Sequence, residues 1–128
     1  MKIKFIILGC GYSFGVPKAD GSWGKCDPKE KKNYRTRCSA FIQSKIKNVI
    51  IDTSPDIRNQ LINNNISNID CVIFSHKHGD QIHGINDLRI FSLKKIIKYL
   101  FMQILIQQNI LEVVFHIVSI IFLVIGQF

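Results

Sequence analysis

Ten residues near the middle of the chain, Ser75–Gly84 (SHKHGDQIHG), hold three of its four histidines together with Asp80. His76, His78 and Asp80 alternate directly after an apolar stretch. In extended backbone, side chains two apart point the same way, so this spacing aims two imidazoles and a carboxylate at one point. Imidazole nitrogen and carboxylate oxygen are suitable ligands for Zn, Mn or Fe. Gly79 lets the backbone turn between them. The chemistry such a set supports is hydrolysis by a metal-activated water. A single histidine would read as an ordinary surface or core residue; this density reads as a metal site. His83 either lines that site or begins a helix.

The loop has to be delivered by a sheet. Lys2–Leu8 is β-rich and bounded by Gly9 and Gly11, and reads as the first strand. Gly9–Lys18 is a glycine-containing turn. Ser39–Gln43 and Asn48–Asp52 read as two strands joined by a polar turn. Ser54 and Pro55 then suit the start of a helix, with Asp56 favourable to its dipole. Ile57, Leu61 and Ile62 would form its apolar face, and Asn63–Asn65 its end. Ile69–Phe74 is the next strand and runs straight into the histidine loop, where α/β sheets commonly place ligands. Asp52, at the end of the preceding strand, either braces the loop or caps the Ser54 turn.

Composition narrows the class. A chain of 128 residues is expected to form one domain with a real core. Its four cysteines include no C-x-x-C pair, which argues against a closed zinc ribbon. They do not resemble a secreted disulfide scaffold either, and with no N-terminal signal peptide in view the expectation is a cytoplasmic protein. Cys10 and Cys71 read as small apolar strand residues. The formal net charge of +8 is concentrated in Lys25–Arg37. That run suits phosphate groups on a substrate or nucleic acid, and equally a solvated loop. No nucleic-acid-binding motif accompanies it.

Texture changes after Lys95. From Tyr99 to Phe128 the only charged residue is Glu112, and Val113–Ile125 is apolar apart from His116 and Ser119. Three readings compete: a membrane helix within 99–125 with Lys94, Lys95 and Lys98 at its cytoplasmic end, a buried helix, or out-of-frame text from an AT-rich gene. A frame shift or truncation near Leu93–Lys98 is favoured, for the reason given below.

HKHGDQ resembles the H-x-H-x-D-H signature of the metallo-β-lactamase fold superfamily. LGCGYSFGVPK resembles the G-x-G-x-S-x-G-V-P opening of its cyclic-phosphodiesterase branch, akin to the phosphoribosyl cyclic phosphate phosphodiesterases of phosphonate metabolism. NYRTRCSA, IIDTSPDIRNQL and IDCVIFSHKHGDQIHGINDLR continue the likeness from residue 3 to about 91. It implies an α/β fold, the N-terminal half of an αββα sandwich over 1–95; the change of texture adds an apolar, helical tail over 96–128. It implies phosphodiester hydrolysis of a small-molecule or nucleotide phosphate ester with two Zn or Mn ions in intact relatives. By position, His76 and His78 would hold the first metal and Asp80 the second, Asp80 also serving catalysis. His83 matches an additional histidine of the branch and Asp52 a residue that supports the loop by hydrogen bonding. Arg35 and Arg37 would clamp the substrate phosphate. A homodimer is left open.

Two departures qualify the likeness. Gln81 stands where the signature has its last histidine, and an amide is a poor ligand beside an imidazole. After Asp87 there is no aspartate, and His116 is the only histidine, so the ligands of a second half are missing. One or no metal, and weak or absent activity, is the expectation. A frame shift accounts for this loss and for the change of texture together.

Overall fold

The computed structural model describes residues 2–94 and 100–103. Strands β1 (Lys4–Gly9), β2 (Ser39–Gln43) and β3 (Asn48–Ile51) form an antiparallel meander. Helix α1 (Ile57–Asn63) crosses over to β4 (Cys71–Phe74), which pairs parallel to β3. A short helix α2 (Gly79–Ile82), a 3₁₀ segment (His83–Leu88) and α3 (Arg89–Lys94) follow. Strand β5 (Leu100–Gln103) pairs parallel to β4 and completes a five-stranded sheet in chain order.

Alternation along the strands builds the core. Phe41 lies opposite Ile50, and Ile50 opposite Val72, so these side chains share one face of the sheet. Leu8 and Phe74 extend that face, and Ile57, Leu61, Ile69, Leu88 and Phe91 cover it. Ile50 is fully buried, which removes enough apolar surface to be worth about 1.5–3 kcal/mol. On β1 the alternate residues Phe5 and Ile7 are exposed.

Three expectations change here. Helix α1 starts at Ile57 rather than at Pro55: Ser54 closes a turn before it, its hydroxyl accepting from Asp56 N–H at 3.3 Å and its carbonyl from Ile57 N–H at 2.9 Å. Its inward stripe is Ile57, Gln60 and Leu61, whereas Ile62 is exposed. Positions 57 and 61 stack one turn apart, and Gln60 is drawn inward because its amide donates to the Arg37 carbonyl at 2.8 Å and the Thr36 hydroxyl at 3.0 Å. Cys10 is exposed and lies beyond the end of β1, while Cys71 is buried in β4 as expected.

Within the tail expected to be helical, Leu100–Gln103 is a strand. The reason is the second edge of β4: its backbone groups require partners, and β5 supplies them in parallel register from Cys71↔Leu100 to Phe74↔Gln103. The rest of the tail, with the membrane segment proposed inside 99–125, lies outside the described residues. Among the described residues no helix is long and apolar enough to cross a membrane.

Candidate metal centre

Because β3 and β4 are parallel, their carboxyl ends meet at one edge of the sheet, and the site is built there. β3 ends in Asp52, which adopts the left-handed backbone conformation (φ 59°), rare for a residue other than glycine. Its N–H donates to Ile73 C=O at 2.9 Å, and its own C=O accepts from the Ser39 hydroxyl at 2.8 Å. Held this way, the buried carboxylate reaches the start of the histidine loop. It accepts from Ser75 N–H at 2.7 Å and from the Ser75 hydroxyl at 2.6 Å. Burial pushes the Asp52 carboxyl above its ordinary range; the two Ser75 bonds and His76 oppose this, and Asp80 adds to it. Both Asp52 oxygens are thus engaged by Ser75, the first residue of the loop.

Ser75 passes the constraint on. Its Oγ lies 2.9 Å from His76 Nδ1. The hydroxyl has one hydrogen, already given to Asp52, so Nδ1–H must be the donor in the second bond. In the neutral ring this assignment makes Nε2 the nitrogen that carries the lone pair. The His76 and His78 rings sit edge to face, with centroids 4.6 Å apart. The alternation read from the sequence thus does bring these two imidazoles together.

Asp80 is held by a different set of groups. It lies in the first turn of α2. A hydrogen bond from the Ser13 hydroxyl is the main cause that holds its carboxyl below the ordinary range; Gln81 and His76 act in the same direction and desolvation opposes them. Gln81 is buried, and with its amide nitrogen facing Asp80 it donates to Oδ1 at 2.7 Å and Oδ2 at 3.1 Å. Its backbone carbonyl accepts from Thr53 N–H at 2.6 Å. Ser13 is fixed from behind: Arg37 Nε donates to the Ser13 carbonyl at 3.0 Å, while Arg37 Nη1 makes an ion pair with Asp56 at 2.9 Å. Arg37 is thus engaged in holding the Ser13 loop. Arg35 is exposed, and its Nη1 donates to Cys10 Sγ at 2.9 Å.

His83 is exposed and packs over Gly79, where an added Cβ would come within 2.6 Å of its ring. It lines a cleft of about 340 Å³ with His76, Lys77, Phe74, Ile82 and Ile85. Among the described residues, no three His, Cys, Asp or Glu side chains are gathered closely enough to hold a metal ion. By its chemistry the donor set suits a divalent cation on the His76–His78 side, where two imidazole rings lie together and the His76 ring is hydrogen-bonded through Nδ1. On the Asp80 side the carboxylate is occupied by Ser13 and Gln81.

Ser13, Thr53, Gln60 and Ser75 carry roles that sequence reasoning left out. Ser75 adjoins the first histidine, and Ser13 is the serine of the glycine-rich opening, so position alone marked both.

The profile of the Beta-lactamase superfamily domain family matches residues 47–118. This match runs beyond Phe91, where the motif likeness ends, and into the apolar tail. A diphosphatase from the PhnP family is similar in structure, with a TM-score of 0.70 and 30% identity over 95% of this chain and 48% of that one. Zn²⁺-bound PqqB from Methylobacterium extorquens shares the fold at a TM-score of 0.54 and 16% identity, covering 84% of this chain and 47% of that one. In sequence, the chain is 36% identical over 88 residues to an octanoyltransferase of Porphyromonas gingivalis (strain ATCC BAA-308 / W83), which is 68% of this chain and 18% of that protein. The chain therefore spans about half the length of these solved structures and less than a fifth of the octanoyltransferase. With more than half of its residues matched and the strand-end histidine loop in place, the chain belongs to the β-lactamase superfamily domain family and has the metallo-β-lactamase type of α/β fold.

Proposed function

We propose that the chain carries the metal loop of a hydrolase acting on phosphate esters or phosphoanhydrides, with one divalent ion, Zn or Mn, held through His76 and His78, and with little activity of its own. The observation that carries this reading is the Asp52–Ser75–His76 chain of hydrogen bonds, which orients an imidazole with its Nε2 free beside a second imidazole. Orientation of a ligating histidine by a partner on its other nitrogen is typical of metal sites. The diphosphatase neighbour supports a phosphorus centre as the target.

Bound at these histidines, a divalent ion supplies a water of lowered pKa and a Lewis acid for phosphate oxygen. The chain's own groups do the positioning. Asp52 and Ser75 fix the His76 ring, and the cleft along Phe74, Ile82 and Ile85 gives an apolar wall beside it. Arg35 offers a guanidinium for substrate phosphate, whereas Arg37 is committed to Asp56. Gln81 holds Asp80 by its amide where an imidazole would offer a ligand, and this is the physical basis for weak activity. Assay with bis-p-nitrophenyl phosphate and added Mn or Zn tests it. Turnover close to that of a His76→Ala, His78→Ala control is expected; turnover well above it would reject the impairment.

A further inference from the structure

Between β1 and β2 the chain makes a long excursion, Cys10–Cys38, that the hydrolytic reading leaves mostly unused. It holds seven basic residues and three acidic ones. Each acid turns a carboxylate oxygen to the backbone two residues on. Asp20 accepts from Ser22 N–H, Asp27 from Lys29 N–H and Glu30 from Lys32 N–H, each at 2.9 Å. Arg37 is paired with Asp56. The other six cations are Lys18, Lys25, Lys29, Lys31, Lys32 and Arg35. All six are exposed, and among the described residues none of them makes an ion pair. A positive surface of this kind attracts polyanions.

Aromatic rings stand among these charges. Phe14 and Tyr34 are each 64% exposed and Tyr12 is 50% exposed. Tyr12 and Phe14 meet edge to face, with centroids 5.7 Å apart. The segment that carries them is tied to the basic segment through the backbone. Gly11 N–H donates to Thr36 C=O at 2.7 Å, Val16 N–H to Arg35 C=O at 2.9 Å and Arg35 N–H to Val16 C=O at 2.8 Å. Arg37 also holds the carbonyl of Ser13, which separates the two rings in sequence. Aromatic and cationic side chains are thus displayed from one framework. The excursion contains no Leu, Ile or Met, and its one Val, Val16, is half-buried. Rings without aliphatic wedges suit stacking on planar bases better than entry into lipid. Base faces are open in single strands and closed in duplexes.

We propose that this excursion binds single-stranded nucleic acid, with phosphates on the unpaired cations and bases stacked on Tyr12, Phe14 and Tyr34. The cations supply a sequence-independent, salt-dependent attraction, and each ring adds a stacking site. Ser13, whose hydroxyl is bonded to Asp80, places this surface beside the histidine loop. The inference does not depend on a metal at His76 and His78.

Fluorescence anisotropy of the full chain with labelled oligo(U) and oligo(dT) of about twelve nucleotides, in EDTA, provides the test. Both strands should bind, and the tighter of the two identifies RNA or DNA as the ligand. Affinity should fall roughly 50-fold or more between about 50 and about 200 mM KCl, as expected for about four neutralised phosphates. The Phe14→Ala, Tyr34→Ala variant should bind about tenfold or more weakly at an unchanged salt slope, while circular dichroism reports the fold intact. The Lys31→Gln, Lys32→Gln variant should lower that slope by about 1.4. Absence of binding at low salt, an aromatic variant that binds like the wild type, or a duplex of equal length bound as tightly would each overturn the proposal. So would binding to phosphatidylserine vesicles in place of the oligonucleotides.

Discussion

Asp52 and Asp80 stand on either side of the same histidine loop and behave as opposites. Asp52 is buried on strained backbone, is pushed toward protonation by its surroundings, and spends both oxygens on Ser75. Asp80 is near solvent, is held ionised by Ser13 and Gln81, and sits on a one-turn helix. One carboxylate is tied to the loop from the end of a strand, and the other is held on the helix by neutral donors. The lesson is that the loop is tied down by backbone and hydroxyl hydrogen bonds from the strand side, while from the helix side its carboxylate meets only Ser13 and Gln81; the proposed weak activity rests on that difference.

The comparison can be broken most forcefully on the strand side. Asp52→Ala leaves Ser75 N–H and hydroxyl without their acceptor and frees the His76 ring. Loss of about 1–3 kcal/mol of stability is expected for the stranded groups, with Zn affinity falling roughly 10–100-fold. Urea unfolding and calorimetric titration read the two effects. Unchanged affinity would show that Ser75 does not orient His76.

The helix side should respond in the opposite sense. Gln81→His exchanges an amide donor for an imidazole next to Asp80. Metal affinity and phosphodiester turnover should both rise, by about tenfold or more in turnover if a second ligand is what the site lacks. Equilibrium dialysis and the bis-p-nitrophenyl phosphate assay check this. A folded Gln81→His chain with neither gain would locate the deficit elsewhere.

A smaller effect separates the two carboxylates by pH in the metal-free chain. Asp52 has its folded-state proton affinity raised from the ordinary 3.8, so the folded state binds more protons there than the unfolded state. Stability from this group falls as pH rises from the ordinary Asp range through the raised value, and Asp52→Asn should abolish that fall. Asp80 is lowered from 3.8. Its contribution is present above the ordinary range and is lost as pH drops through the lowered value, so Asp80→Asn should flatten the acid limb. Denaturation midpoints from acid to neutral pH would display both slopes.

Much of this was legible in the sequence. Strands at Ser39–Gln43 and Asn48–Ile51, the strand leading into the loop, and the pairing of His76 with His78 all follow from alternation and turn residues. Other features depend on contacts remote in the chain. Gln60 turns inward only because the Arg37 carbonyl waits for it, and Asp56 serves Arg37 instead of the helix dipole alone. β5 was illegible because an apolar run carries no periodicity that separates strand from helix, and the free edge of β4 decides the matter. Ser75 was overlooked since a hydroxyl beside a histidine has no meaning until Asp52 is placed 2.6 Å from it.

The most direct measurement is the number of divalent ions the purified full chain binds, read by calorimetry or by cobalt absorption. The account predicts one ion per chain for the wild type and none for the His76→Ala, His78→Ala variant. Two ions bound to the wild type, or one ion retained by that variant, would contradict it.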